Sequence, residues 1–180
     1  YGGYCFLPLY VFSGDHLLSA KLRPSNIDAS AGAAEELARI AAQIRERWPK
    51  VKMVIRGDSG FCREEIMAWC EANGADFVLG LAKNSRLKEI LGEEIEEARR
   101  LHEESGQASR VFKDFSYRTR ESWSRERRVV WKAEHLEKGS NTRFVVTSIA
   151  PEETDAQTLY EREYCARGEM ENRIKEQQLD

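Results

Sequence analysis

The stretch from Val51 to Leu81 constrains this chain more than any other part of it. Val51 to Ile55 is a short β-branched run between Pro49 and Gly57. Cys62 to Asn73 carries a helical pattern that Asn73-Gly74 ends, and Phe77 to Leu81 is a second short apolar run. Strand, helix and strand at this spacing make a β-α-β unit, whose two strands run parallel. The expected class is therefore α/β.

Similar periodicities flank the unit. Tyr4 to Ser13 and His16 to Leu22 are extended apolar stretches joined by the turn residues Ser13-Gly14-Asp15, the first interrupted by Pro8. From Ala33 to Trp48, the residues Leu37, Ile40, Ala41, Ile44 and Trp48 recur at helical steps until Pro49 stops the pattern. Leu87 to Glu104 predicts a second, strongly charged helix. Short extended pieces rich in Arg, Thr and aromatic residues run on to Lys132, and Arg143 to Ile149 reads as a strand. A last helix opens on the capping-box pair Thr158 and Glu161 and continues to the end of the chain.

A chain of 180 residues with 41% hydrophobic content can bury one core, and its 33% charged residues are too evenly mixed in sign for a disordered polymer. One domain over residues 1–180 is expected. No apolar run approaches the roughly 20 residues that cross a bilayer, so a soluble protein is expected. Cys5, Cys62, Cys70 and Cys165 form no C-x-x-C pair, which favours reduced, buried or half-buried thiols over a zinc site. The chain starts at Tyr1 within a strand approach and ends on a helical pattern with no stop signal, so both ends read as cut.

Two carboxylates stand out. Asp58, in Arg56-Gly57-Asp58-Ser59-Gly60-Phe61, lies just past the end of a strand, where ligands gather in α/β sheets. The same position suits a capping or turn Asp, a reading that Ser59 and Gly60 support. On the last helix, Tyr164, Arg167, Glu171 and Gln178 are spaced by three, four and seven residues, which puts them on one helical face. A face of that composition is no core stripe, although Arg167 and Glu171 could equally form an ordinary surface ion pair.

The net charge of -3 hides a local asymmetry. Ser109 to Lys132 holds eight cations against three acids, a balance of +5 that leaves -8 on the rest of the chain. Phe112, Phe115, Tyr117, Trp123 and Trp131 are interleaved with those cations. The combination suits phosphate neutralisation with base stacking, and it also suits a solvated hairpin with buried aromatics.

Taken together, these residues make the chain resemble the DDE transposases of bacterial insertion sequences, the group with a Tyr-Arg-Glu-Lys signature on its last catalytic helix. Tyr164, Arg167 and Glu171 fall at the signature intervals, with Gln178 in place of the final Lys and Lys175 one turn earlier. Ile55-Arg56-Gly57-Asp58-Ser59-Gly60-Phe61-Cys62 resembles the motif of the second acid in that family.

The resemblance implies a ribonuclease H-like mixed sheet flanked by helices, with a β-rich insertion over about residues 105–140 before the last catalytic helix. The first central strand, which carries the first acid, would precede Tyr1. It also implies metal-dependent cleavage and strand transfer of insertion-sequence ends, with two Mg²⁺ (or Mn²⁺) ions held by Asp58 and Glu171 together with that first acid. DNA contacts are expected from Tyr164, Arg167, Lys175 and Gln178, from Lys83 and Arg86 after the second strand, and from Arg118, Arg120, Trp123, Arg127 and Trp131 of the insertion. Asn84 belongs with Lys83 and Arg86 in that loop, and Arg56 is a weaker candidate. A homodimer on DNA, a bacterial cytoplasmic, nucleoid-associated setting and an inactive isolated fragment follow from the same resemblance. The alternatives are a ribonuclease H-like nuclease without strand transfer and a non-catalytic nucleic-acid-binding module.

Overall fold

The computed structural model describes residues 5–93, 96, 100, 109–136 and 139–178. An antiparallel hairpin comes first, with β1 (Leu9–Ser13) and β2 (His16–Lys21) joined through Gly14 at φ 55°, a left-handed turn that glycine adopts without strain. Helix α1 (Ala33–Arg47) follows and buries Ala33, Ala34, Ile40 and Ala41. It ends one residue before Trp48, which is extended at ψ 77° because the following Pro49 disfavours helical backbone there.

The β-α-β unit forms as its pattern predicts. β3 (Val54–Gly57) and β4 (Asp76–Leu81) are parallel, with Gly57 level with Leu79, and α2 (Glu64–Ala72) crosses between them. The first strand starts three residues later than its β-branched run, because Val51 N–H closes a turn onto Trp48 O after Pro49. Helix α2 also starts late, since Ser59–Phe61 first makes a 3₁₀ turn.

α3 (Ser85–Ile90) begins where the Asn84 side chain accepts from Leu87 N–H at 2.8 Å, two residues ahead of the predicted start. Glu93, Glu96 and Arg100 are helical too, and the remainder of that predicted helix falls outside the described residues. Instead of short extended pieces, the next region forms long strands β5 (Ser109–Tyr117) and β6 (Arg127–Leu136), followed by β7 (Gly139–Thr147).

These strands build one five-stranded sheet in the order β3-β4-β7-β6-β5, parallel only between β3 and β4. Strand alternation divides its side chains. Phe77, Leu79, Val129, Trp131, Phe144 and Val146 share a core with α1, α2 and α3. Val78, Val130 and Val145 pack on the other face against Leu159 and Tyr160. Each fully buried large apolar side chain contributes roughly 1.5–3 kcal/mol relative to exposure.

The C-terminal helical stretch is irregular, running as α4 (Ala156–Thr158), a π turn (Leu159–Tyr164), a 3₁₀ turn (Cys165–Arg167) and α5 (Gly168–Gln178). Its cap is Asp155, whose carboxylate accepts from Thr158 N–H at 3.0 Å, rather than the predicted Thr158 and Glu161 pair. An ionised carboxylate is the stronger acceptor for a helix start, so Thr158 ends up inside the first turn. The β1–β2 hairpin stays outside the five-stranded sheet. Among the described residues β1 pairs only with β2, and β3 only with β4.

Candidate active site

Asp58 leaves the end of β3 in extended conformation and stays exposed. Its Oδ1 accepts from Gly60 N–H at 2.8 Å, so the capping role read from the sequence is real. Its Oδ2 has no hydrogen-bond partner among the described residues. One carboxylate thus fixes the 3₁₀ turn with one oxygen and presents the other.

The backbone around Asp58 is held from several sides. Arg63 Nη1 reaches Ser59 O at 3.4 Å, while its Nη2 donates to Asp28 at 2.9 Å. Hydrogen bonds from Ser30 and then Arg63 keep the Asp28 carboxyl well below the usual range. Beneath the turn lies Gly80 of β4. A methyl there would stand 2.6 Å from Tyr164 Oη, 3.0 Å from Ser59 N and 3.3 Å from the Asp58 carbonyl carbon. Only a glycine leaves room for this crossing.

The last helical stretch passes this same end of β3. Arg56 Nη1 donates to Glu163 O at 3.2 Å, and Arg173 pairs with Asp15 in the hairpin turn. Met170 and Ile174 of α5 line an apolar cavity of about 240 Å³ together with Asp58. Leu9 and Val11 of β1 and Val54 and Ile55 of β3 line it as well, so the free edges of the two strands face one common space.

Glu171 follows Met170 on α5. The side chains of Arg167, Glu171 and Gln178 lie outside the description, so the expected four-residue face is traced only through the backbone and Tyr164. The π and 3₁₀ turns between Tyr164 and Gly168 also replace the regular helical step assumed for that face. Lys175 is exposed. Among the described residues no group of three or more His, Cys, Asp or Glu side chains comes together, and Glu171 is not among the side chains so tested.

The strands β5 and β6 and the turn between them depart from the nucleic-acid reading of their sequence. Trp131 is fully buried and Trp123 nearly so at 4% exposure, which leaves neither ring open for stacking on a base. Their place is fixed by packing: Trp131 sits on the inward face of β6, and Trp123 meets Tyr117 edge-on at 5.7 Å. Arg127 is buried too, its guanidinium spanning Glu64 and Glu71 of α2 and lying 5.6 Å over Trp123. Burial opposes its charge, but the hydrogen bonds it donates to Glu71 and Glu64 outweigh that and raise its pKa.

Several cations of this segment are held in ion pairs of this kind, Arg110 and Lys132 with Glu134, and Arg128 with Asp114. Arg118 and Arg120 remain exposed, and Arg86 Nη1 donates to Arg118 O at 3.1 Å while lying 5.4 Å over Tyr117. The loop after β4, with exposed Lys83, and the β5–β6 turn therefore form one basic surface.

The thiols also differ from expectation. Cys70 is buried and Cys62 half-buried, their pKa values pushed up to about 12 and about 11 by desolvation, whereas Cys5 and Cys165 are exposed. Gly80, Arg63 and Arg173 went unnoticed in the sequence. An isolated glycine inside an apolar strand run is the one signal that could have pointed to Gly80.

A family model described as transposase DDE domain group 1 matches residues 1–180. The chain belongs to this DDE transposase family. No curated protein matches it. Membership implies transposition chemistry on DNA with divalent ions. The donor set of this DDE domain fits such an ion at Asp58, because Oδ2 is a hard, exposed oxygen without another partner among the described residues. No helix among the described residues of the domain is long and apolar enough to cross a membrane.

Proposed function

We propose that this domain catalyses cleavage of insertion-sequence ends and their transfer into target DNA, with Asp58 and Glu171 as two of three catalytic acids. The observation that carries the reading is the shared cavity: Asp58 stands at its rim, and Met170 and Ile174, which flank Glu171 along α5, line its wall. Asp58 and Glu171 would hold two Mg²⁺ or Mn²⁺ ions, whose chemistry is to activate the attacking oxygen and stabilise the leaving one.

One further strand of a ribonuclease H-like sheet would lie between β1 and β3, a reading that the cavity lined by both strands supports. Such a strand would join hairpin and sheet, and its end beside Asp58 would carry the third acid. Residues 105–140 would then be the β-rich insertion.

The residues of this chain divide the remaining work. Asp58 is aimed by its bond to Gly60, so its free oxygen needs little rearrangement. Arg167, Lys175 and Gln178 would hold phosphates near the cleaved bond. Lys83, Arg86, Arg118 and Arg120 would track the DNA backbone farther out, where contacts position the duplex without reading sequence. Pairing of two ends by a homodimer and a place in the bacterial nucleoid belong to the same proposal.

The test uses the full-length protein with labelled element ends and Mg²⁺ or Mn²⁺. Nicking and strand transfer are expected in the wild type and lost in Asp58→Ala and Glu171→Ala, with DNA binding retained. Unchanged nicking in either variant would overturn the assignment. Nicking without joining would point to the nuclease alternative.

A further inference from the structure

Gly80 is where two parts of the site touch, and neither part explains the contact alone. β4 needs no glycine for its ladder, since Gly80 pairs in register with Val145 as its neighbours do with theirs. What excludes a side chain is the Tyr164 hydroxyl together with the Asp58–Ser59 peptide, 2.6 Å and 3.0 Å from the position of a methyl. Tyr164 is itself held: its ring packs 5.5 Å from that of Tyr160, whose own ring lies 5.8 Å from Phe112. Arg56 ties the neighbouring Glu163 carbonyl to β3.

We propose that Tyr164 is a positioning residue that seats the Asp58–Ser59 peptide over Gly80 and so aims the free oxygen of Asp58. This differs from the phosphate-holding role expected from its place in the signature. The inference rests on the proposed transposase reading of Asp58. The phenol lies half-buried against the second core, and its hydroxyl and the Asp58–Ser59 peptide both border the position of a Gly80 methyl. Outer groups that orient a ligand in this way tune metal affinity, typically by about 10–100-fold, without touching the metal.

The full-length protein carrying Tyr164→Phe provides the test, because this change keeps the ring and deletes only the hydroxyl. The Mn²⁺ concentration for half-maximal cleavage is expected to rise on the order of tenfold, while the dissociation constant for element-end DNA stays within about twofold of wild type, below what loss of a phosphate hydrogen bond gives. Lost DNA affinity with unchanged Mn²⁺ dependence would overturn the proposal in favour of a phosphate contact. So would a variant indistinguishable from wild type in both readouts.

A readout independent of activity comes from Gly80→Ala. Its loss of thermal stability is expected to be smaller in the Tyr164→Phe background than in the wild type, since the added methyl then meets no hydroxyl. Additive losses would contradict the contact. If the wild type itself shows no Mn²⁺-dependent cleavage, so that Asp58→Ala matches it, the functional reading fails and takes this inference with it. A wild type that cuts, with an insensitive Tyr164→Phe, rejects the inference alone.

Discussion

Arg127 and Glu64 meet at 2.7 Å across the junction between β6 and the crossover helix, with the Arg127 side chain almost fully buried. The same guanidinium reaches Glu71 at 2.7 Å, so one cation on β6 fastens two turns of α2. The aromatic, basic segment that reads as a nucleic-acid surface is, at its centre, a structural joint.

Arg127→Met follows from that geometry. It strands Glu64 and Glu71 beside the core without their shared partner, and breaking a buried pair by removing one member costs about 3–5 kcal/mol. Chemical denaturation is expected to show a loss of that size, and a loss below about 1 kcal/mol would show that water replaces the guanidinium at little cost.

Trp131→Ala separates packing from base recognition. The ring is fully buried in β6, so truncation is expected to cost about 3–5 kcal/mol. DNA affinity per folded molecule should be unchanged. A variant of normal stability with weakened DNA binding would restore Trp131 to the interface.

Glu36 gives a pH signature. It is buried in α1, and hydrogen bonds from Arg39 and then Lys21 of β2 hold its carboxyl at about 2. A carboxyl depressed on folding contributes stability above its unfolded value, about 4.3, and that contribution disappears as the pH falls toward 2. Comparison of wild type with Glu36→Gln by denaturation is expected to show a gap that is full at pH 6–7 and narrows below about pH 4. A gap constant over that range would mean that the carboxylate charge is not what matters.

The exposed cations Arg86, Arg118 and Arg120 are expected to act on DNA of any sequence. Replacing Arg118 and Arg120 with Gln should weaken binding uniformly and lower the slope of log affinity against log salt by about 1 per cation. A change confined to one sequence would indicate base contact instead.

The strand edges of β1 and β3 bear on how a polypeptide of residues 1–180 behaves by itself. Among the described residues one edge of β1 and one of β3 pair with no strand, and such edges beside an apolar cavity invite pairing with other chains. A polypeptide limited to residues 1–180 is expected to self-associate, seen by light scattering, and to lack activity. A monomeric, cooperative thermal transition would count against the open slot.

Local rules made much of this protein legible from its sequence. The Val51–Leu81 unit, α1 up to Pro49 and the hairpin turn at Gly14 each rest on a periodicity or a breaker acting within a few residues, and each forms close to where it was expected. Asp58 was legible for the same reason, as a strand-end residue, and its capping bond is equally local. The Asp155 cap and the π turn were not legible, because the cap is set by competition between acceptors and neither feature follows from helical spacing.

Tertiary structure alone decided which cations face solvent and which are consumed. Sequence counts charge along the chain, but Arg127 finds its partners 56 and 63 residues away on another element. It also decided the meeting of Tyr164 with Gly80 and the Asp58 turn, and the facing of β1 and β3 across one cavity. Contacts between distant segments depend on how sheet and helices stack, and no residue spacing encodes that.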